Sequence, residues 1–276
     1  MFPLRASGAE PERPAPGPVR RIVALAPSAA EILFALGAAD VVVGVSDFTD
    51  DLPEAKGKKR LGGFAPDLEG VVALAPDLVV VSKDGVDRAA YEKLVSLGLR
   101  VVVTDGSSID GVLDDLRRVA GAAGLAGRGE TIVSRLRERL AGLGARVRAL
   151  GRGPRALLLV WPEPPVVAGP KTFVGDVLAR AGFVNVVPER AGEWPRVSLE
   201  TLASWKPDIV IRPETKENAE AFAALPRDPR WRLLPAVREG RILRVPGALL
   251  ERPGPRLVDA LEVLVEAREK TRADRP

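Results

Sequence analysis

Residues 68–80 and 199–211 lie 131 positions apart and align without a gap, sharing Leu68 with Leu199, Glu69 with Glu200, Pro76 with Pro207, Asp77 with Asp208 and Val79 with Val210. Each copy reads as a short helix, a Pro-Asp turn and an apolar strand, and a motif recurring in both halves argues for duplicated architecture. A weaker echo joins Ile32–Gly37 to Val177–Gly182. The chain therefore has two α/β halves to build, and the stretch between them must hold the halves together.

That stretch, 106–150, reads as two helices. Ser107-Ser108-Ile109-Asp110 resembles a capping box, with a hydroxyl for a free amide and an acid near the positive helix end. Val112, Leu113, Leu116, Val119 and Ala120 follow at helical spacing, and the four glycines of 121–129 predict a break. A second run through Ile132, Val133, Leu136, Leu140, Leu143, Val147 and Leu150 predicts a helix of about twenty residues, roughly 30 Å long, enough to cross a lobe. The arginines at 135, 137, 139, 146, 148, 152 and 155, mixed with Glu138, read as a solvated helix face.

The first half opens with a strand at Ile22–Leu25, a turn at Ala26-Pro27-Ser28, a helix from Ala29 to Leu36 and a strand at Val41–Val45. The Ala26–Ser28 turn then lies at the carboxyl end of a strand, where open α/β sheets bind ligands. After the motif at 68–80 come a helix at 88–97 and a strand at 100–103. The second half predicts a strand at 156–160, a loop at 161–169, a helix at 172–181, a strand at 209–212, a helix at 217–224, a strand at 241–245, a groove-rimming loop at 246–254 and a terminal helix at 255–270.

Composition removes most chemistry. The 276 residues include no Cys and no His, which excludes disulfides, zinc clusters, thiol nucleophiles and histidine-ligated haem. GxGxxG, Walker A and GxSxG sequences are absent, and Ser28 has no His partner, so catalysis is not expected. The net charge of +4 is spread out, with nine Lys among forty-one basic residues, and lacks the aromatic-interleaved basic stripe of a nucleic-acid binder. Aromatics make up 4% of the chain, so each exposed Trp or Phe carries weight as a ligand contact. Residues 1–19 read as a Pro-rich disordered lead with no apolar export segment, and no later run is long enough to span a membrane.

On these residues the chain resembles the class III substrate-binding proteins of ABC importers, closest to the cobalamin-binding branch. The likeness rests on Arg21-Ile22-Val23-Ala24-Leu25-Ala26-Pro27-Ser28 with Glu31 and Leu36-Gly37, and on Val43-Gly44-Val45-Ser46. It continues through Leu68-Glu69 to Pro76-Asp77-Leu78-Val79, Trp194-Pro195-Arg196-Val197-Ser198 and Glu251-Arg252-Pro253-Gly254-Pro255-Arg256. It implies an α/β fold of two Rossmann-like lobes with central parallel sheets, 20–105 and 151–276, joined by a single long rigid helix within a helical spine at 106–150. A ligand cleft lies between the lobes. The resemblance further implies a monomer that carries a corrinoid or a ferric-siderophore-type metal chelate, needs no cofactor of its own, and docks on a membrane permease dimer through Glu69 and Glu251.

By motif position or neighbourhood the ligand would meet Pro27, Ser28, Phe48, Phe64, Ser82, Trp161, Val166, Trp194 and Leu249. Ser82, Val166 and Leu249-Leu250 replace aromatics usual in the cobalamin branch, which leaves the choice of chelate open. Tyr91 falls mid-helix and suits packing better than an axial haem ligand. The location implied is periplasmic or cell-surface. Without a visible signal a cytoplasmic binder of the same fold also stays open, as does, more remotely, an α/β enzyme.

Overall fold

The computed structural model describes residues 18–63, 65–216 and 218–273, with side chains as far as Lys270. The Pro-rich lead through residue 17, Phe64 and the expected helix start at Glu217 lie outside the described residues. The first sheet contains β1 (Ile22–Ala24), β2 (Val42–Val45), β3 (Lys59–Arg60), β4 (Leu78–Ser82) and β5 (Val101–Thr104), all parallel in the order β3-β2-β1-β4-β5. Strands buried on both faces need continuous apolar runs, and Ile22, Val23 and Ala24 face Leu78, Val79 and Val80 in register. The strands are linked by α1 (Pro27–Ala35), α2 (Leu68–Ala73) and α3 (Arg88–Ser96). Pro27 suits the first turn of α1 because its missing N–H would have no helical partner there.

The spine is α4 (Ile109–Ala122) and α5 (Ala126–Leu150). Ser108, one residue later than expected, caps α4 by accepting from the Gly111 amide at 3.1 Å. The break is shorter than the glycines suggest. It spans only Ala123-Gly124-Leu125, with Gly124 at φ +73°, while Gly127 and Gly129 lie inside α5. A Cβ on Gly129 would stand 2.5 Å from that of Ala120, so this glycine lets the two helices cross closely rather than ending one. At 25 residues α5 is about 37 Å long.

The second lobe contains β6 (Arg155–Pro162), β7 (Pro165–Val167), α6 (Phe173–Arg180), β8 (Val184–Asn185), α7 (Leu199–Ser204), β9 (Ile209–Glu214), α8 (Ala219–Ala224), α9 (Pro235–Arg238), β10 (Ile242–Pro246) and α10 (Leu257–Ala273). Its sheet runs β10-β9-β6-β7, with β8 also on β6. The expected loop at 161–169 is a hairpin instead. β6 extends to Pro162 and turns back antiparallel into β7, where Trp161 faces Val166. Three prolines hid this strand pair, because proline is tolerated at a sheet edge such as β7.

The repeated motif folds alike in both lobes. Asp67 caps α2 and Ser198 caps α7, each by accepting the amide three residues on. The carboxylate of Asp77 takes the Arg20 and Arg21 amides at 2.8 and 2.9 Å, and that of Asp208 takes the Arg155 amide at 2.8 Å. Arg21 and Arg155 return side-chain bonds to the Leu74 and Trp205 carbonyls.

Three apolar clusters hold the molecule together. Val23, Val79 and Val81 pack with Val71 and Leu94 on the outer face of the first sheet, and Leu157, Val210 and Phe222 pack with Trp231 on the outer face of the second. The inner faces share one cluster that runs from Ile22 and Val80 through Leu116, Val133 and Leu143 to Leu158, Ile211 and Leu261. Two arginines of α5, expected on a solvated face, instead stitch it to α10. Arg139 reaches Asp259 and Glu262 at 2.7 Å each, and Arg146 reaches Glu269 at 2.6 Å. No helix among the described residues is long and apolar enough to cross a membrane.

Candidate functional site

The carboxyl ends of the first sheet's parallel strands deliver residues 25–28, 46–51, 61–63, 82–85 and 105–108 to one edge. From the second lobe, Glu193 and the segment after β10 reach that edge. Lys83, just past β4, pairs with Asp105 and also feels Asp84 and, from the other lobe, Glu193. The hydrogen bond to Asp105 is the largest influence and lifts the ammonium above the ordinary lysine value, against the pull of partial burial. The Glu193-Trp194 segment therefore stands within electrostatic reach of the β4 loop.

On the second lobe the hairpin organises one wall. Residues 193–197 run along β7, where Val167 donates to the Pro195 carbonyl, Val197 donates to that of Pro165, and Val166 bridges Arg196. This brings Trp161, Val166 and Trp194 together, with Trp161 and Trp194 40% and 42% exposed. The Trp161 indole donates to the Glu163 carbonyl at 2.9 Å, and Trp194 tilts at 58° against Phe173, ring centres 5.8 Å apart. Leu249, in the turn after β10, is half-buried against the shared core.

On the first lobe Phe48 is 49% exposed and its ring lies over Gly63, where a Cβ would sit 2.8 Å from the ring tip. Pro27 is half-buried at the start of α1, while Ser28 beside it is buried, as is Ser82, whose hydroxyl accepts weakly from the Asp84 amide at 3.4 Å. Arg60 ties this rim together by donating to the Ser46 carbonyl and to Asp50, and by a close contact with Thr49.

A charged seam, for which the sequence suggested no role, ties the two lobes together. The Glu31 carboxylate, on α1, accepts from the Arg256 amide at 3.1 Å and from its guanidinium at 3.0 Å. Asp51 accepts from Arg252 at 2.7 Å and from Arg256 at 3.4 Å. Burial alone would push the Asp51 carboxyl up, but the two arginines outweigh it and hold it below the ordinary value. On the spine side, Asp176 accepts the Ile109 amide at 2.9 Å, and Arg180 links Asp176 to Asp110. Glu31 and 251–256 are visible as motif pieces in the sequence; that they meet is a tertiary fact.

The family model of the periplasmic binding proteins matches residues 22–249. The chain belongs to that family. It is 27% identical to YvrC, an ABC transporter substrate-binding lipoprotein of Bacillus subtilis, over 254 residues, 90% of this chain and 79% of that one. It is 29% identical to the cobalamin-binding protein of Halobacterium salinarum over 260 residues, 91% of this chain and 70% of that one. The crystal structure of the vitamin B12-binding protein BtuF of Vibrio cholerae superposes with a TM-score of 0.83 at 24% identity, covering 92% of this chain and 98% of that one, a likeness of fold.

Within this periplasmic binding protein the two glutamates singled out from the sequence differ in setting. Glu69, in the first turn of α2, is exposed. Glu251 is exposed too, but its carboxylate turns back toward its own loop, so that a Cβ on Gly247 would stand 3.0 Å from Oε1. Glu200, the repeat partner of Glu69, is exposed at its helix start, and the Ser198 hydroxyl and its own backbone N–H hold its carboxyl below the usual range.

Proposed function

We propose that this periplasmic binding protein is the substrate-binding component of an ABC importer, taking a corrinoid or a ferric-siderophore-type chelate between its lobes. The observation that carries the reading is the trio Phe48, Trp161 and Trp194, each 40% or more exposed, in a chain that buries Trp231 and Phe222 to 2% exposure. Flat aromatic surface left open with a few polar groups around it suits a large amphipathic guest. Pro27, Val166 and Leu249 add apolar wall in this reading, Ser28 and Ser82 add nearby hydroxyls, and Phe64 is placed with them by motif. We assign the lobes to 20–105 and 151–276, with the spine at 106–150, since β5 ends at Thr104 and β6 begins at Arg155.

Glu69 and Glu251 would then dock on a permease, with the protein working as a monomer at or outside the membrane surface. The carboxylates are proposed to read cationic side chains there, which needs them outward rather than in the groove. Titration of the intact protein with cyanocobalamin, dicyanocobinamide and ferric siderophores, followed by tryptophan fluorescence, tests ligand capture. Affinity on the order of micromolar or tighter for one of them is expected. Failure of all of them to bind would overturn the reading.

A further inference from the structure

A second recess lies at the other edge of the second sheet, where its parallel strands begin. Gly153-Pro154, Asp208 and Gly240-Arg241 lead into β6, β9 and β10 in turn, and together they line an open cavity of about 1120 Å³. Phe183, Ile242 and Leu243 give it apolar wall. Its cations are Arg152, Arg241, Arg268 and Lys270, and Asp208 is the one acid among the lining residues. The Asp208 carboxylate already takes the Arg155 amide, and Arg241 shares its charge with Glu239. Among the described residues Arg152 and Lys270 have no acid partner, so the recess carries uncompensated positive charge.

Arg268, on α10, is 6% exposed and donates to the Ala181 carbonyl at 2.7 Å and the Gly151 carbonyl at 2.8 Å, at the ends of α6 and α5. Two glycines make room for it. A Cβ on Gly153 would fall 3.0 Å from its Cζ, and one on Gly182, at φ +76°, would collide with Nη1. No carboxylate pairs with it among the described residues, and burial holds the guanidinium below the ordinary arginine value. Capping two helix ends accounts for its two bonds but not for its burial. In the first lobe Arg128 donates to the Leu36 and Gly37 carbonyls, the echo positions of Ala181 and Gly182, from an exposed place. The cap alone needs no cavity beside it.

We propose that this recess binds an amphipathic organic anion, its carboxylate or phosphate head met by Arg268 and the outer cations and its apolar body by Phe183, Ile242 and Leu243. The two carbonyls use only part of the Arg268 donor fork, which leaves N–H groups for oxygen acceptors. A buried cation lacking a counter-charge gains most from an incoming anion, because the pair is strengthened where water is scarce. The cavity is also of the size that organic ligands occupy. The site stands whether or not the groove takes a chelate.

Calorimetric titration of the intact protein with decyl phosphate, decanoate and uncharged decyl maltoside, each below its micellar concentration, tests this beside flotation with phosphatidylglycerol and phosphatidylcholine vesicles. An anionic probe should bind saturably and the uncharged ones should not. Arg152→Gln with Lys270→Gln, both at exposed positions, should weaken anion binding about 2- to 30-fold, the range for two exposed charge contacts. Arg268→Met should abolish it, and Arg268→Lys, which keeps the charge, should return part of it. Capture of phosphatidylglycerol vesicles that is lost in the same variants identifies a lipid surface as the source of the anion, whereas binding of the soluble anions without vesicle capture identifies a free amphiphile. Binding of neither overturns the proposal, as does maltoside binding as tight as that of the anions. Should Arg268→Met not fold, the exposed pair decides, and an affinity unchanged when Arg152 and Lys270 are replaced places the anion elsewhere and overturns the assignment.

Discussion

Ala75 and Lys206, 131 positions apart, share a left-handed backbone, with φ of +42° and +48°, and among the described residues they are the two non-glycine positions with positive φ. Each ends the short helix of its lobe and swings the chain into the Pro-Asp turn that starts a buried strand. Neither residue type favours that conformation, which costs about 1–2 kcal/mol for a residue with a Cβ. The same strain at equivalent places shows that the duplication extends to backbone geometry.

Lys206→Gly should therefore stabilise the protein. Glycine removes the strain but adds freedom to the unfolded chain, leaving a net gain of about 0.5 kcal/mol. Thermal unfolding should move up by about 1–2 °C. A lower midpoint would mean that the lysine stem contributes packing not evident from its exposed position.

Asp115 is 1% exposed and takes the Asp105 and Gly106 amides at 3.0 and 2.8 Å, holding the turn between β5 and α4. Asp115→Ala leaves two donors unpaired and should cost about 2–4 kcal/mol, measured by denaturant unfolding. Burial pushes its carboxyl above the usual value, against the two amides and Arg118. A group raised in the folded state favours folding most below its unfolded value, near 3.8, and loses that advantage as pH rises through the folded value. Asp115→Asn keeps an acceptor without the charge, so it should flatten the stability profile over that rise.

The sign is opposite at Asp51. Its lowered carboxyl contributes fully above about the unfolded value of 3.8 and is lost as pH falls through the lower folded value. The stability measured by denaturant unfolding should keep this contribution from neutral pH down to that point and lose it only below. Asp51→Asn should remove the part of that loss due to this group, and a loss already complete well above pH 4 would contradict the assignment.

Trp194 packs on Phe173 through one face and leaves much of its surface open, so Trp194→Ala should spare the fold while weakening ligand capture. Loss of one aromatic contact of about 0.5–1.5 kcal/mol corresponds to about 2- to 13-fold weaker binding. Phe48→Ala should act in the same direction from the opposite wall. Calorimetry with whichever chelate binds the parent provides the measurement, and unchanged affinity in both variants would return these rings to ordinary packing.

Much of this arrangement is legible in the order of the residues. Apolar runs such as Ile22–Leu25 and Leu78–Val81 locate buried strands because strand burial on both faces leaves no room for polar alternation. Helices are less certain at their ends, where Gly127 and Gly129 look like breakers yet serve a close crossing. The groove is harder to read. Phe48, Trp161 and Trp194 can be named from scarcity and motif, but that Trp161 and Trp194 share a wall depends on the Pro-rich hairpin, and proline obscures it. Glu31, Asp51, Arg252 and Arg256 carry no local signal of their pairing, since up to 225 positions separate partners that only tertiary folding unites.

The apolar cluster common to both inner sheet faces has a further consequence. Because Ile22, Leu116, Leu158 and Leu261 belong to one cluster, each half keeps an outer core of its own but completes its inner one only with the spine and the other half. Melting should register as one cooperative event in a calorimeter, and the halves produced separately should be insoluble alone. The internal duplication thus survives as a shape, while thermodynamically the two copies have become one body.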